Sequence, residues 1–135
     1  FRAACRERRC LVPATGFYEW VKDAEGNRLP WYFATPDGAP LVFAGIYQAW
    51  GQGADTLITC AIVTCHASPW MAETHHREPV SLAPQEWGLW LGEQGRGAAR
   101  LMKAAPEGRY IRWRVARTVN SNRAKGPELI EPFAA

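Results

Sequence analysis

Between Gly16 and Cys65 the chain is cut into strand-length apolar runs by polar, glycine-bearing turns, a punctuation that points to an antiparallel sheet. From Gly16 to Lys22 the side chains alternate. Phe17, Glu19 and Val21 share one face, and Tyr18, Trp20 and Lys22 the other. Asp23-Ala24-Glu25-Gly26-Asn27 is a polar turn, so Leu29 to Thr35 returns as the hairpin partner. Pro36-Asp37-Gly38 makes a second turn. Leu41 to Trp50 is apolar on both alternating faces, the pattern of a central strand covered on both sides. After the loop Gly51 to Asp55, Thr56 to Cys65 is rich in Thr, Ile and Val and reads as one more strand.

The flanks carry short helices. Residues 1–9 read as the tail of a helix, with basic residues where the C-terminal dipole favours them, and Pro13 and Gly16 bracket a turn. Ala67 to Thr74 suits one or two helical turns, with Ser68 as N-cap and Pro69 at the first helical position. Glu78 to Leu82 is extended. Pro84 opens a helix whose apolar stripe is Trp87, Trp90 and Leu91, and Gly97 to Ala105 is a second short helix. Arg109 to Ala116 alternates again, with Tyr110, Arg112 and Arg114 facing one way and Ile111, Trp113 and Val115 the other. Val119 to Pro127 is a polar loop. No repeat or linker interrupts the pattern, so residues 1–135 are expected to form a single α+β domain. Its core would be a mixed, mainly antiparallel sheet, curved or barrel-like, with short flanking helices.

At 135 residues the chain can bury roughly two-thirds of its unfolded surface in one domain. A net charge of +3 permits a nucleic-acid partner without demanding one. Seven tryptophans exceed the needs of such a core, so some indoles are expected on a binding surface. No apolar run approaches the ~20 residues that span a bilayer, and no signal-peptide pattern opens the chain. Cys5, Cys10, Cys60 and Cys65 show no Cys-x-x-Cys spacing and read as reduced thiols of a cytoplasmic protein.

Two places carry candidate chemistry. Glu19 shares its strand face with apolar neighbours, where a carboxylate costs free energy unless paired, hydrogen-bonded or protonated. The alternative is a half-exposed Glu on a solvated face. His75-His76 is flanked by Glu73, Arg77 and Glu78, so a proton-exchanging imidazole stands beside an anion contact. Here the alternative is a surface loop with incidental histidines. Zinc is conceivable from Cys60, Cys65, His66, His75 and His76. Strand parity, however, sends Cys60 and Cys65 to opposite faces, so no metal is expected; no cofactor is expected either. No Ser-His-Asp set and no phosphate-cradling glycine loop is visible.

Several segments together resemble the SOS response-associated peptidase (SRAP) family, whose members crosslink to abasic sites in single-stranded DNA. Arg9-Cys10-Leu11-Val12-Pro13-Ala14-x-Gly16-Phe17-Tyr18-Glu19-Trp20 looks like the family's Arg-Cys-Leu-x-Pro-Ala-x-Gly-Phe-Tyr-Glu-Trp segment. Ala44-Gly45-Ile46-Tyr47-x-x-Trp50 is similar to its Ala-Gly-Leu-Trp-x-x-Trp strand, and Ile62-Val63-Thr64 to its Ile-x-Thr strand. His75-His76-Arg77-Glu78-Pro79-Val80 resembles its His-Asp-Arg-Met-Pro-Val loop, and Val119-Asn120 with Pro127 to Pro132 its C-terminal end.

The resemblance implies roles. Glu19 and His75 match the active-site glutamate and histidine. Thr64 matches a pocket threonine and Arg77 an arginine at the DNA phosphates, while Asn120 is offered as structural support. The family's nucleophile is a cysteine that follows the initiator Met. Phe1 matches a position well inside the family pattern, so that cysteine is expected upstream and the chain as written should not crosslink. Cys5 and Cys10 are not substitutes, since neither is N-terminal. Two departures stand in the loop, His76 for Asp and Glu78 for Met. The Glu78 charge is expected to weaken DNA binding by lying next to Arg77. The implied protein is a cytoplasmic, nucleoid-associated monomer that forms a thiazolidine adduct and has possible self-cleaving peptidase activity. The alternative is a non-catalytic module that binds single-stranded DNA through phosphate contacts and stacking.

Overall fold

The computed structural model describes residues 1–134; Ala135, the last residue of the expected domain, lies outside the described residues. Helix α1 (Arg2–Glu7) is followed by strands β1 (Arg9–Ala14), β2 (Phe17–Lys22), β3 (Arg28–Ala34), β4 (Leu41–Trp50), β5 (Leu57–Ile62) and β6 (Thr64–His66). Helix α2 (Pro69–Ala72), β7 (Arg77–Pro79), α3 (Trp87–Leu91) and β8 (Ile111–Arg114) complete the frame, with single 3-10 turns in some connections and two more after β8. Every strand pair is antiparallel. The pairing is divided among three sheets, ordered β1-β4-β5, β2-β3-β8 and β6-β7. This is the expected α+β domain with short helices.

The alternation rule holds where it matters for the site. Phe17 stacks on Phe33, with ring centroids 4.9 Å apart, and meets Phe43 and Tyr110 edge-on. These rings and Met71 form one core cluster. The other face of the same sheet gathers Tyr18, Tyr32, Trp113 and Val115. Gly16 opens β2 where the chain passes hard against Tyr32 and the Phe33 carbonyl, leaving no room for a Cβ. A third cluster centres on buried Trp90, whose indole N–H donates to the Cys10 carbonyl at 2.9 Å.

Five expectations need correction. The stretch before Gly16 is not merely a turn but the strand β1, paired with β4 from Arg9↔Ile46 to Ala14↔Leu41. Pro13 is tolerated there because β1 is an edge strand, where a missing backbone donor is harmless. Thr56–Cys65 is not one strand. The chain leaves β4 after Ile62 and joins β7 at Thr64, with Val63 bonded to Ala44 and Val80 between them. The helix at Gly97–Ala105 is only a 3-10 turn, Ala98–Leu101, and Leu91 of the expected apolar stripe is exposed. Finally, β4 is buried only through Ile46; from Tyr47 onward, and along all of β5, the strand pair is exposed apart from half-buried Gln48.

Candidate active site

Strand β2 delivers Glu19 to the face that bears Phe17, and the loop after α2 brings a histidine over it. Ser68 caps α2 by accepting the Met71 N–H at 3.2 Å, and Pro69 starts the turn, as the residues predict. Thr74 then receives a hydrogen bond from Arg112 at 2.7 Å, which ties the loop to β8. The imidazole of His75 consequently sets Nε2 3.8 Å from Glu19 Oε2. Burial pushes the Glu19 carboxyl above the ordinary carboxylate range. His75, His76 and the Trp20 amide pull it back only in part.

His75 is held by the backbone of Arg77 in two ways. The Arg77 N–H lies 3.1 Å from Nδ1, and the Arg77 carbonyl lies 3.0 Å from the same atom. One nitrogen cannot use both at once. A neutral ring accepts the N–H at Nδ1 and carries its proton on Nε2, towards Glu19. An imidazolium donates from Nδ1 to the carbonyl instead. Each protonation state thus finds a backbone partner. The ring of His76 stacks on His75, with centroids 4.5 Å apart.

Thr64 and Arg77 are brought together on the β6–β7 hairpin. The Arg77 guanidinium donates to the Thr64 carbonyl at 2.9 Å and to Thr64 Oγ1 at 3.1 Å, and no carboxylate pairs with it among the described residues. Asn120 stands on the other face of the β2 sheet. It accepts the Trp20 indole N–H at 2.6 Å and donates to the Arg28 carbonyl at 3.0 Å, so it touches the back of β2 and not Glu19. The five residues therefore fall into three groups: a Glu19–His75 pair, a Thr64–Arg77 pair, and a brace behind them.

Glu78 corrects the sequence reading. Its alternation on β7 turns it away from Arg77 into the interior, where it is 1 % exposed. It accepts the Ser68 N–H at 2.7 Å and the Ala105 N–H at 3.2 Å, beside a cavity of about 530 Å³ also lined by Trp70 and Tyr110. A carboxylate so placed is a latch between two loops. It is not a charge facing an incoming phosphate. Nor do the thiols offer an alternative nucleophile at Cys10 or Cys65. Burial raises both, with Cys60 adding to the first and Glu78 to the second. Among the described residues no group of His, Cys, Asp and Glu is placed to hold a metal ion.

Sequence reading missed the neighbours across the sheet. Glu19 pairs with Trp31 on β3, and Trp31 with Arg114 on β8, so these three share one row of one face. Alternation had already put Arg112 and Arg114 on a common face, but only the register shows which face it is.

An antiparallel α+β domain that presents a carboxylate–imidazole pair beside an unneutralised arginine defines a class, and comparison with known proteins gives that class its name. The family model described as SOS response associated peptidase (SRAP) matches residues 1–122, and the chain belongs to that family. Among similar proteins, abasic site processing protein YoqW of Bacillus subtilis is 29% identical over 135 residues, covering 97% of this chain and 60% of the relative. Abasic site processing protein YedK of Escherichia coli is 26% identical over 136 residues, covering 98% and 61%. Abasic site processing protein HMCES of Gallus gallus is 29% identical over 150 residues, covering 93% and 44%. A crystal structure of a protein from Bacteroides thetaiotaomicron superposes with a TM-score of 0.86 at 25% identity, covering 99% of this chain and 60% of that one. The chain spans about 60% of the length of the first two of these relatives.

Proposed function

We propose that the intact protein recognises abasic sites in single-stranded DNA and shields them by forming a covalent adduct. The observation that carries this reading is the Glu19–His75 pair, a carboxyl raised by burial facing an imidazole whose two protonation states are both accommodated. The names of the relatives, abasic site processing proteins, support it.

The chemistry follows from the family resemblance. The amino group of the N-terminal cysteine, with a pKa of about 8, is partly unprotonated at neutral pH. Its nitrogen attacks the aldehyde carbon of the ring-opened sugar, and loss of water leaves an imine. The cysteine sulfur then adds to the imine carbon while a proton moves to nitrogen, closing a thiazolidine. His75 moves protons during ring opening and dehydration, and Glu19 holds or protonates the amine or the sugar oxygen. Arg77, steadied by Thr64, meets a backbone phosphate. Cleavage of the protein's own N-terminus is a second outcome available to the same acid–base pair. The protein acts as a monomer in the cytoplasm, at the nucleoid.

The test is incubation of the intact protein with a single strand containing one abasic site, followed by denaturing electrophoresis. A denaturant-resistant, lesion-dependent adduct is expected. Arg77→Ala should weaken strand binding and lower the salt slope by about 0.7. Salt-sensitive binding with no adduct would instead favour a non-catalytic binding module, and no binding would end both readings.

A further inference from the structure

Two arginines on β8 stand side by side on the Glu19 face of the sheet, and the structure treats them differently. Arg112 lies over Trp70 and Trp31, with its guanidinium carbon 4.6 and 5.3 Å from the ring centroids. It also has three acceptors, donating to the Trp70 carbonyl, to Thr74 Oγ1 and to the Glu73 carboxylate. Arg114 lies over the same Trp31 at 5.8 Å, but among the described residues its side chain has no carboxylate and no hydrogen-bond acceptor. Its Nε is shut off from water with nothing to receive its hydrogen. A buried donor left in that state costs free energy, so no hydrogen bond within the described residues accounts for the position of this guanidinium, whose terminal nitrogens likewise have no acceptor there.

The place of this guanidinium matters as much as its lack of a partner. Arg114, Trp31 and Glu19 occupy one cross-strand row, with Glu19 on one edge strand and Arg114 on the other. Two strand spacings separate them, roughly 10 Å between backbones. Trp31 between them is only half-buried and lies within cation–π reach of the guanidinium. A half-buried planar cation beside an indole, in the same cross-strand row as Glu19 and without a carboxylate partner among the described residues, is suited to a phosphodiester.

We infer that Arg114, seated on Trp31, is a second phosphate-binding position of this site and engages the backbone of a nucleotide next to the lesion. The inference rests on the abasic-DNA reading and adds to it a contact that follows from this chain's register. Arg77 supplies one phosphate contact from the β6–β7 hairpin. Arg114 supplies another from β8, so the strand is held from two separate elements while the lesion lies at Glu19 and His75.

The experiment uses the intact protein and a short single strand carrying a tetrahydrofuran in place of the abasic sugar, which binds without reacting. Arg114→Ala is expected to weaken binding about tenfold and to reduce the salt slope by about 0.7. Arg114→Lys, which keeps the charge but not the fork, should recover part of the affinity and all of the slope. Replacing one phosphate beside the lesion by a neutral methylphosphonate should weaken the wild type but leave Arg114→Ala unaffected. Wild-type affinity and slope in Arg114→Ala would overturn the inference while leaving the abasic-DNA reading standing. So would a loss that Arg114→Lys fails to relieve, or one that adds to the methylphosphonate loss. Absence of salt-dependent binding by the wild type would instead bring down that reading and the inference with it.

Discussion

Glu78→Ala is expected to destabilise the protein by about 3 kcal/mol and to lower its melting temperature by roughly 10 °C. The carboxylate has both oxygens committed, Oε1 to the Ser68 amide and Oε2 to the Ala105 amide, in a position that is 1 % exposed. Removing it strands two backbone donors, each worth about 1–3 kcal/mol when left unsatisfied, and empties volume next to an existing cavity. Glu78→Met, which restores the residue of the resembled family loop, fills the volume and removes a buried charge, so its cost should be smaller. Glu78→Gln keeps one acceptor and should fall between wild type and alanine. Thermal unfolding followed by circular dichroism checks the order. Unchanged stability in Glu78→Ala would mean that the two amides find water and that the latch is not one. The loop held by Ser68 leads directly to His75, so DNA binding should suffer in Glu78→Ala through disorder of that loop. The sequence reading had placed the Glu78 effect in charge repulsion, which predicts the opposite: tighter binding once the carboxylate is gone.

What the residues disclosed and what they hid can be told apart by the range of the interaction involved. Alternation is local, so the faces of β2 and β8 were legible, as was the partition of Phe17 and Glu19 from Tyr18 and Trp20. The cap at Ser68 and the start at Pro69 are equally local. Strand β1 was hidden because Pro13 reads as a breaker, and only its place on a sheet edge makes it harmless. The break at Val63 was hidden because Thr, Ile and Val favour strands without saying which sheet receives them. The site divides along the same line. Motif resemblance singled out Glu19, His75, Thr64, Arg77 and Asn120 as candidates. It gave no sign that Asn120 braces the back of β2, or that His75 sits between a backbone donor and a backbone acceptor. Trp31 and Arg114 escaped notice because their relation to Glu19 is a matter of register across three strands. Register is set by turns and packing together, not by any one segment.

His75→Ala is expected to slow adduct formation by about 10²–10⁴-fold while leaving affinity for an unreactive abasic strand nearly intact. The argument rests on what the imidazole touches. Nε2 faces Glu19, and Nδ1 is held by the Arg77 backbone, so truncation removes the proton carrier without removing the Arg77 side chain or its hold on Thr64. Glu19→Gln should slow the reaction as well, and its pH dependence separates the two roles. Burial raises the Glu19 carboxyl, so its protonated form persists to higher pH than for an ordinary carboxylate. The wild-type rate should therefore show an ionisation above the usual Glu range that disappears in Glu19→Gln. Stability carries the same signature with a definite sign. Folding raises this pKa, so the contribution of the protonated form is fully present below the unfolded-state value and is lost as pH rises through the folded-state one. Glu19→Gln, which cannot ionise, should flatten that decline and be more stable than wild type above it. A Glu19→Gln protein that reacts at the wild-type rate with an unchanged pH profile would remove Glu19 from the chemistry. It would leave the carboxylate as no more than a strained neighbour of His75.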